Sequence, residues 1–218
     1  MKTLLTLLCT CLVSLGAAAQ NFSQWFDNQT LRVDYTFAGD SATQQIYLDA
    51  LTRTDHWAGR RHNLDSLCLK GNGQITMRDE QTGTVIYRTS FSSLFQEWQG
   101  TPEAGKVRKS FENCFLLPMP KRPARVTVEL CNYRQEVTSQ LTHRVDPKDI
   151  LIRHIGRQPA PFRHLLQGGS PEECIDIVMV PEGYTEAEMP VFYRDAAAAT
   201  EAIFAHEPFK TYRNRFNV

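Results

Sequence analysis

Leu31-Arg32-Val33-Asp34-Tyr35-Thr36-Phe37 places an apolar side chain at every second position and a polar one between them. That period of two belongs to a β-strand with one face on a core and the other on water. The same grammar runs outward from it. Ile46, Leu48 and Ala50 continue the alternation. Ile75 and Met77 precede the turn-rich Asp79-Glu80-Gln81-Thr82-Gly83, and Val85, Tyr87, Thr89 and Phe91 resume beyond it, a hairpin pattern. Val126, Val128 and Leu130 alternate with Arg125, Thr127 and Glu129, and residues 137–145 and 150–155 are further strand candidates. Short strands joined by turns, with no long helical period between them, predict a mainly β protein built on an antiparallel β-sandwich. Pro118, Pro120 and Pro123 suit an extended connection between strands, because proline cannot donate to a ladder.

Phe91-Ser92-Ser93-Leu94-Phe95-Gln96-Glu97-Trp98 departs from this pattern. Leu94, Phe95 and Trp98 fit one short helical turn. The simpler expectation is a plug closing the end of the sandwich, since aromatic side chains are more often packing than binding groups. The sharper alternative makes Trp57 and Trp98 a ligand platform.

Gln158-Pro159-Ala160-Pro161 and Gly168-Gly169-Ser170-Pro171 punctuate the chain around a short basic segment. Beyond them the grammar changes. Ile175-Asp176-Ile177-Val178-Met179-Val180 is almost continuously apolar, as in a parallel strand buried on both faces. Thr185 and Glu188 have capping-box spacing, and Met189, Phe192, Ala196, Ala199 and Ile203 predict one apolar face of a helix. Pro190 fits only a first turn, so the regular helix is expected to start there after a preliminary turn. Residues 212–218 approach a second strand. One strand and one helix cannot make a core of their own, so this portion reads as an incomplete, truncated α/β strand-helix segment. The expected organisation is a signal peptide over 1–19, a β-sandwich domain over 20–155, a linker over 156–171 and the opening of an α/β domain over 172–218.

Lys2, the apolar stretch from Leu4 to Leu15 and the small side chains Ala17-Ala18-Ala19 form an export signal, with Gln20 as the first mature residue. The apolar run is shorter than the ~20 residues that span a bilayer, so no stable membrane anchor is expected, and the product is read as secreted or periplasmic. Lys plus Arg and Asp plus Glu stand at 24 each in the 218 residues, and losing the leader removes only Lys2. A chain so near neutrality has no field to hold nucleic acid. Four cysteines stay in the mature part: Cys68, Cys114, Cys131 and Cys174. Three pairings are open to them in an oxidising compartment, but four thiols in a chain of this length suit small buried hydrophobes better.

The search for chemistry returns no assigned residue: no catalytic group, no cofactor ligand and no metal ligand. His206-Glu207 begins a His-Glu-x-x-His pattern, but the fourth position on is Lys210, and Pro208 breaks the helix that would align the pair. His56 and His62 flank Arg60 and Arg61, whose charge disfavours a cation, although Asp55 could orient the His56 imidazole. Glu172-Glu173 reads as a solvated turn and Glu186 with Glu188 as helix N-terminal charges. Asp176 is the polar exception inside an apolar strand.

Residues 176–189, Phe204-Ala205-His206-Glu207-Pro208-Phe209 and Tyr212-Arg213-Asn214-Arg215-Phe216-Asn217-Val218 resemble the start of the catalytic domain of the immunoglobulin A peptidase family of zinc metallopeptidases. Thr82 to Tyr87, Phe91 to Trp98 and Thr101 to Ala104 are similar to the N-terminal β domain of bacterial members. The resemblance implies a metalloendopeptidase acting on a protein substrate in a full-length form. In the family the zinc-binding His-Glu-x-x-His helix lies downstream of the Phe-Asn-Val strand, so zinc is expected only in a full-length relative and this chain is expected to be inactive alone. Glu182 stands where many relatives have Asp before Gly-Tyr. The alternative expectation is a non-catalytic secreted β-sandwich module that binds protein or glycan.

Overall fold

The computed structural model describes residues 21–67, 69–156 and 160–218. The leader, Cys68 and the Gln158-Pro159 break lie outside the described residues. A short helix, α1 (Phe22–Trp25), leads into β1 (Phe26–Gly39), β2 (Gln44–Asp55), β3 (Gly73–Asp79), β4 (Val85–Phe91), helix α2 (Leu94–Gln99), β5 (Lys109–Pro120), β6 (Ala124–Cys131), β7 (Val137–Val145) and β8 (Arg153–His154). One sheet runs in the order β5-β1-β2-β8, the other β4-β3-β6-β7. All pairings are antiparallel except the two-residue contact of β8 along β2.

The alternation in β1 does what its period requires. Leu31, Val33, Tyr35 and Phe37 are all fully buried and meet Ile75, Met77, Val126, Val128 and Leu130 from the facing sheet. Each such side chain contributes roughly 1.5–3 kcal/mol when taken from water, so this double row is the main source of stability. In β2 the alternation breaks at Asp49, where the register with β1 shifts between Asp34 and Tyr35. The extra residue turns Ala50 off the inner face, and Leu51 packs on the core instead. Gly39 closes the β1–β2 hairpin at φ +154°, and a Cβ there would sit 2.0 Å from the Thr43 carbonyl oxygen. Only glycine fits.

Three features differ from the expected pattern. Pro118 and Pro120 lie inside β5, opposite Thr30 and Phe26, not in a connection. The strand tolerates them because β5 is the edge of its sheet. The candidate strand over 150–155 shrinks to Arg153–His154, with Ile150 and Leu151 exposed. The cysteines are not uniformly buried: Cys131 is, Cys174 is half-buried, and Cys114 is exposed because it falls on the outward phase of β5.

The stretch after β4 is the plug. Ser93 caps α2, its hydroxyl accepting from the Gln96 amide at 3.3 Å, and the Gln96 side chain donates to the carbonyls of Asn72 (2.8 Å) and Cys131 (3.0 Å). Phe95 and Trp98 are buried in the sandwich core, while Leu94, expected on the same apolar face, is exposed. Trp57 is buried too and stands edge-on to Tyr87 at 6.0 Å. Both tryptophans are core, and the platform alternative fails for them.

Candidate functional site

The chemistry-bearing candidate is the C-terminal strand-helix-strand unit. β9 (Ile175–Asp176) runs parallel to β10 (Phe216–Asn217), with helix α3 (Met189–Phe204) between them in sequence. A parallel pair needs a long crossover, and α3 is that crossover. Its start follows the expected sequence chemistry. The Thr185 amide and hydroxyl both donate to Glu188 Oε2, at 2.9 and 2.7 Å, a 3-10 turn covers Glu186–Glu188, and Pro190 sits in the first helical turn. The Thr185 amide holds the Glu188 carboxyl below its ordinary range.

The buried stripe of α3 differs from the expected one. Phe192, Ala196, Thr200 and Phe204 are buried, whereas Ala199 and Ile203 are exposed. Steps of four rather than mixed threes and fours face the helix toward an aromatic group: Phe204 lies 5.2 Å from Phe216 and 6.4 Å from Phe209, ring to ring. Thr200 joins the stripe because its hydroxyl donates to the Ala196 carbonyl at 2.8 Å, which removes the cost of burying it. β9 is likewise corrected. Only two residues pair as strand, and Ile175, Val178 and Val180 are 59%, 81% and 72% exposed. Among the described residues nothing covers this apolar run, so the predicted burial on both faces is not met.

At the centre of the unit is Asn217, buried at 7% exposure. Its Oδ1 accepts the amides of Gly168 (2.9 Å) and Gly169 (3.3 Å), and its Nδ2 donates to Asp176 Oδ1 at 2.8 Å. One amide side chain thereby ties β10 to β9 and to the segment before it. That segment pairs along the last residues as well: Leu165 donates to the Val218 carbonyl at 2.7 Å, and Val218 to that of Leu166 at 2.8 Å. Gly168 runs so close that a Cβ would meet the Asn214 and Phe216 oxygens at 2.6 and 2.7 Å. Asn217 was not among the sequence candidates. The available signal was its polarity next to Phe216 and Val218, matched by Asp176 in the partner strand.

The other candidates stay apart. Asp55 does not orient His56; it bonds Nε2 of His154 at 2.8 Å, and His56 Nδ1 instead lies 3.3 Å from Asn28 Nδ2. His206 follows the end of α3 with its carbonyl taking the Lys210 amide, and Glu207 Oε2 accepts the Thr211 amide at 3.2 Å. Glu173 belongs to a turn, its amide donating to Ser170. Glu182 is exposed on the turn after β9, where the neighbouring Tyr184 hydroxyl donates to Asp195 at 3.2 Å. Among the described residues no three His, Cys, Asp or Glu side chains gather in a geometry that could hold a metal ion. No His-Glu-x-x-His occurs in the 218 residues. The described residues therefore do not fit a zinc centre. No helix among the described residues is long and apolar enough to cross a membrane.

Two family models match the chain in tandem. The Peptidase M64 N-terminus matches residues 21–142, which is the sandwich through most of β7. The IgA Peptidase M64 model matches residues 164–218, starting where the chain begins to pair with Phe216–Val218. No curated protein matches it.

Proposed function

Because the chain belongs to the M64 peptidase family, whose N-terminal model covers more than half of it, we propose that it supplies the N-terminal module and the opening strand-helix-strand unit of a secreted zinc metalloendopeptidase acting on a protein substrate. The supporting observation is the order of the two matches, module first and peptidase segment second. In a metallopeptidase of the His-Glu-x-x-His kind the metal polarises the scissile carbonyl and activates water. No residue here is assigned to that step. Residues 164–218 instead form the scaffold against which such a centre is built, and Asn217 sets the spacing of its first two strands.

The division into a leader over 1–19, a sandwich module over 20–155, a connection over 156–171 and a peptidase segment over 172–218 is part of the same reading, with residues 165–169 already contributing to the peptidase segment. Export rests on Lys2, the apolar run after it and Ala17-Ala18-Ala19. N-terminal sequencing of the protein recovered outside the cytoplasm is expected to begin at Gln20; an intact Met1 in that fraction overturns export with cleavage.

The decisive test isolates the native protein from its host with an antibody raised against residues 21–142, then measures zinc and chelator-sensitive hydrolysis of a protein substrate. Zinc and hydrolysis together in that preparation, with neither in the purified 218-residue chain, are the expected result. One tightly held zinc in the 218-residue chain, or neither zinc nor hydrolysis in the native preparation, overturns the reading.

A further inference from the structure

On the outward face of the β5-β1-β2 sheet, two small side chains on β1 and β5 stand beside an amide on β2. Ala38 is the register partner of both Gln45 and Ser110, so one row reads Gln45-Ala38-Ser110. Ala38, Ser110 and the neighbouring Gly39 floor a depression of about 310 Å³, rimmed by Thr43, Gln45, Arg108 and Lys109. That volume lies at the lower end of the ~300–1,000 Å³ typical of small-ligand sites. The next row holds Tyr47, Thr36 and Glu112, and Tyr47 is half exposed.

The rim is organised without a ligand. Arg108 Nε donates to Asp40 Oδ2 at 3.1 Å, and Asp40 is itself held by the Ala42 and Thr43 amides at 3.0 and 2.8 Å. Its two terminal guanidinium nitrogens have no partner among the described residues. The Tyr47 hydroxyl donates to Gln45 Oε1 at 2.7 Å, which lays the ring beside the amide and leaves Gln45 Nε2 without a partner among the described residues. The side-chain oxygens of Ser110 and Glu112 likewise have no hydrogen-bond partner among the described residues. Thr36 is occupied by Asp49 at 2.6 Å.

We propose that this face is a saccharide-binding site for a neutral sugar. The floor lies over the central strand β1, both of whose edges are taken by β2 and β5, so an extended peptide can pair only along the outer edge of β5 and not over the floor itself. Recognition must come from side chains, and those present mix donors with acceptors around a small floor beside an exposed aromatic ring, the complement of a polyol with one apolar face. The cations of this face are matched by carboxylates, Arg108 by Asp40, Lys109 by Glu103 and Arg32 by Asp34, and Glu112 has no cationic partner among the described residues, so the field does not favour an anion. The site is independent of the peptidase assignment.

The test is a two-dimensional NMR titration of the 218-residue chain with three probes: neutral galactoside and N-acetylhexosamine oligomers, oligogalacturonate, and hexaglutamate. The neutral oligomers are expected to shift the amides of Gln45, Ala38 and Ser110 with a Kd of about 1 mM or tighter. Ser110→Trp, which fills the depression from an exposed position, and Arg108→Gln are each expected to weaken binding ~tenfold or more. No shifts at these amides with any neutral sugar, stronger binding of oligogalacturonate or hexaglutamate, or unchanged affinity in Arg108→Gln overturns the proposal.

Discussion

The hydroxyl of Tyr35 on β1 lies 2.6 Å from Nε2 of His143 on β7, so a pair separated by 108 positions joins one sheet of the sandwich to the other. Their rings meet edge to face at 5.7 Å. Tyr35 is fully buried, and burial pushes its phenol up; burial likewise pushes the His143 imidazole below its ordinary value. Both groups are held in their neutral forms.

A pH dependence follows from those two directions. His143 has a folded pKa below the unfolded value of about 6.5, so the unfolded chain takes up its proton first. Its contribution to stability is complete above that value and is lost as pH falls toward the folded pKa. Tyr35 has a folded pKa above the unfolded value of about 10; its contribution is complete below that value and is lost above it. Urea midpoints measured from pH 4 to 11 are expected to fall at both ends, and in the double variant Tyr35→Phe with His143→Gln the dependence flattens at both. Tyr35→Phe alone is expected to cost about 1–3 kcal/mol, because it leaves a buried nitrogen unpaired. An unchanged acid limb in the double variant would remove His143 from the account.

Trp98 anchors the plug on α2, with its indole N–H donating to Glu103 Oε2 at 2.8 Å and its ring 5.5 Å from Phe111. Trp98→Ala is expected to destabilise the sandwich by about 3–5 kcal/mol in urea denaturation. A loss under about 1 kcal/mol, the scale of an ordinary surface change, would show that the plug does not close the core.

Asn217→Ala removes the acceptor for two glycine amides and the donor to Asp176. Hydrogen exchange at Gly168 and Gly169 should quicken markedly, with a local cost of about 1–3 kcal/mol, while protection in β1 and β6 stays as it was. Equal loosening of both regions would mean that the node supports the whole molecule rather than the C-terminal unit.

Limited proteolysis separates the two parts. Residues 22–155 share one continuous core, whereas 172–218 expose Ile175, Val178, Val180 and Tyr212 over a short parallel pair. Cuts are expected first in 172–218, leaving a resistant fragment over the sandwich. Equal resistance of both parts would contradict the placing of the protected core in the sandwich alone.

Elements whose information is local were legible in the residues. The 31–37 alternation, the 75–91 hairpin, the strand over 137–145 and the Thr185–Glu188 cap with Pro190 behind it all appear where their spacing puts them. β5 was harder to single out, because Glu112-Asn113-Cys114 and two prolines mask its alternation, and the prolines are tolerable only on an edge. Asp176 stood out as a polar residue in an apolar run, but its partner Asn217 is 41 positions away.

The sequence by itself determined the strand period, the mainly β character, the break between two textures and the family, because backbone periodicity and ordered motifs are properties of neighbouring residues. Tertiary structure alone decided which way each element is turned. The bulge at Asp49 selects Leu51 over Ala50, the aromatic group around Phe216 selects Thr200 and Phe204 over Ala199 and Ile203, and the meeting of β1 with β7 pairs Tyr35 with His143. Rotation of a strand or helix about its own axis costs little locally; it is fixed by the free energy of burying one face against partners far away in the chain.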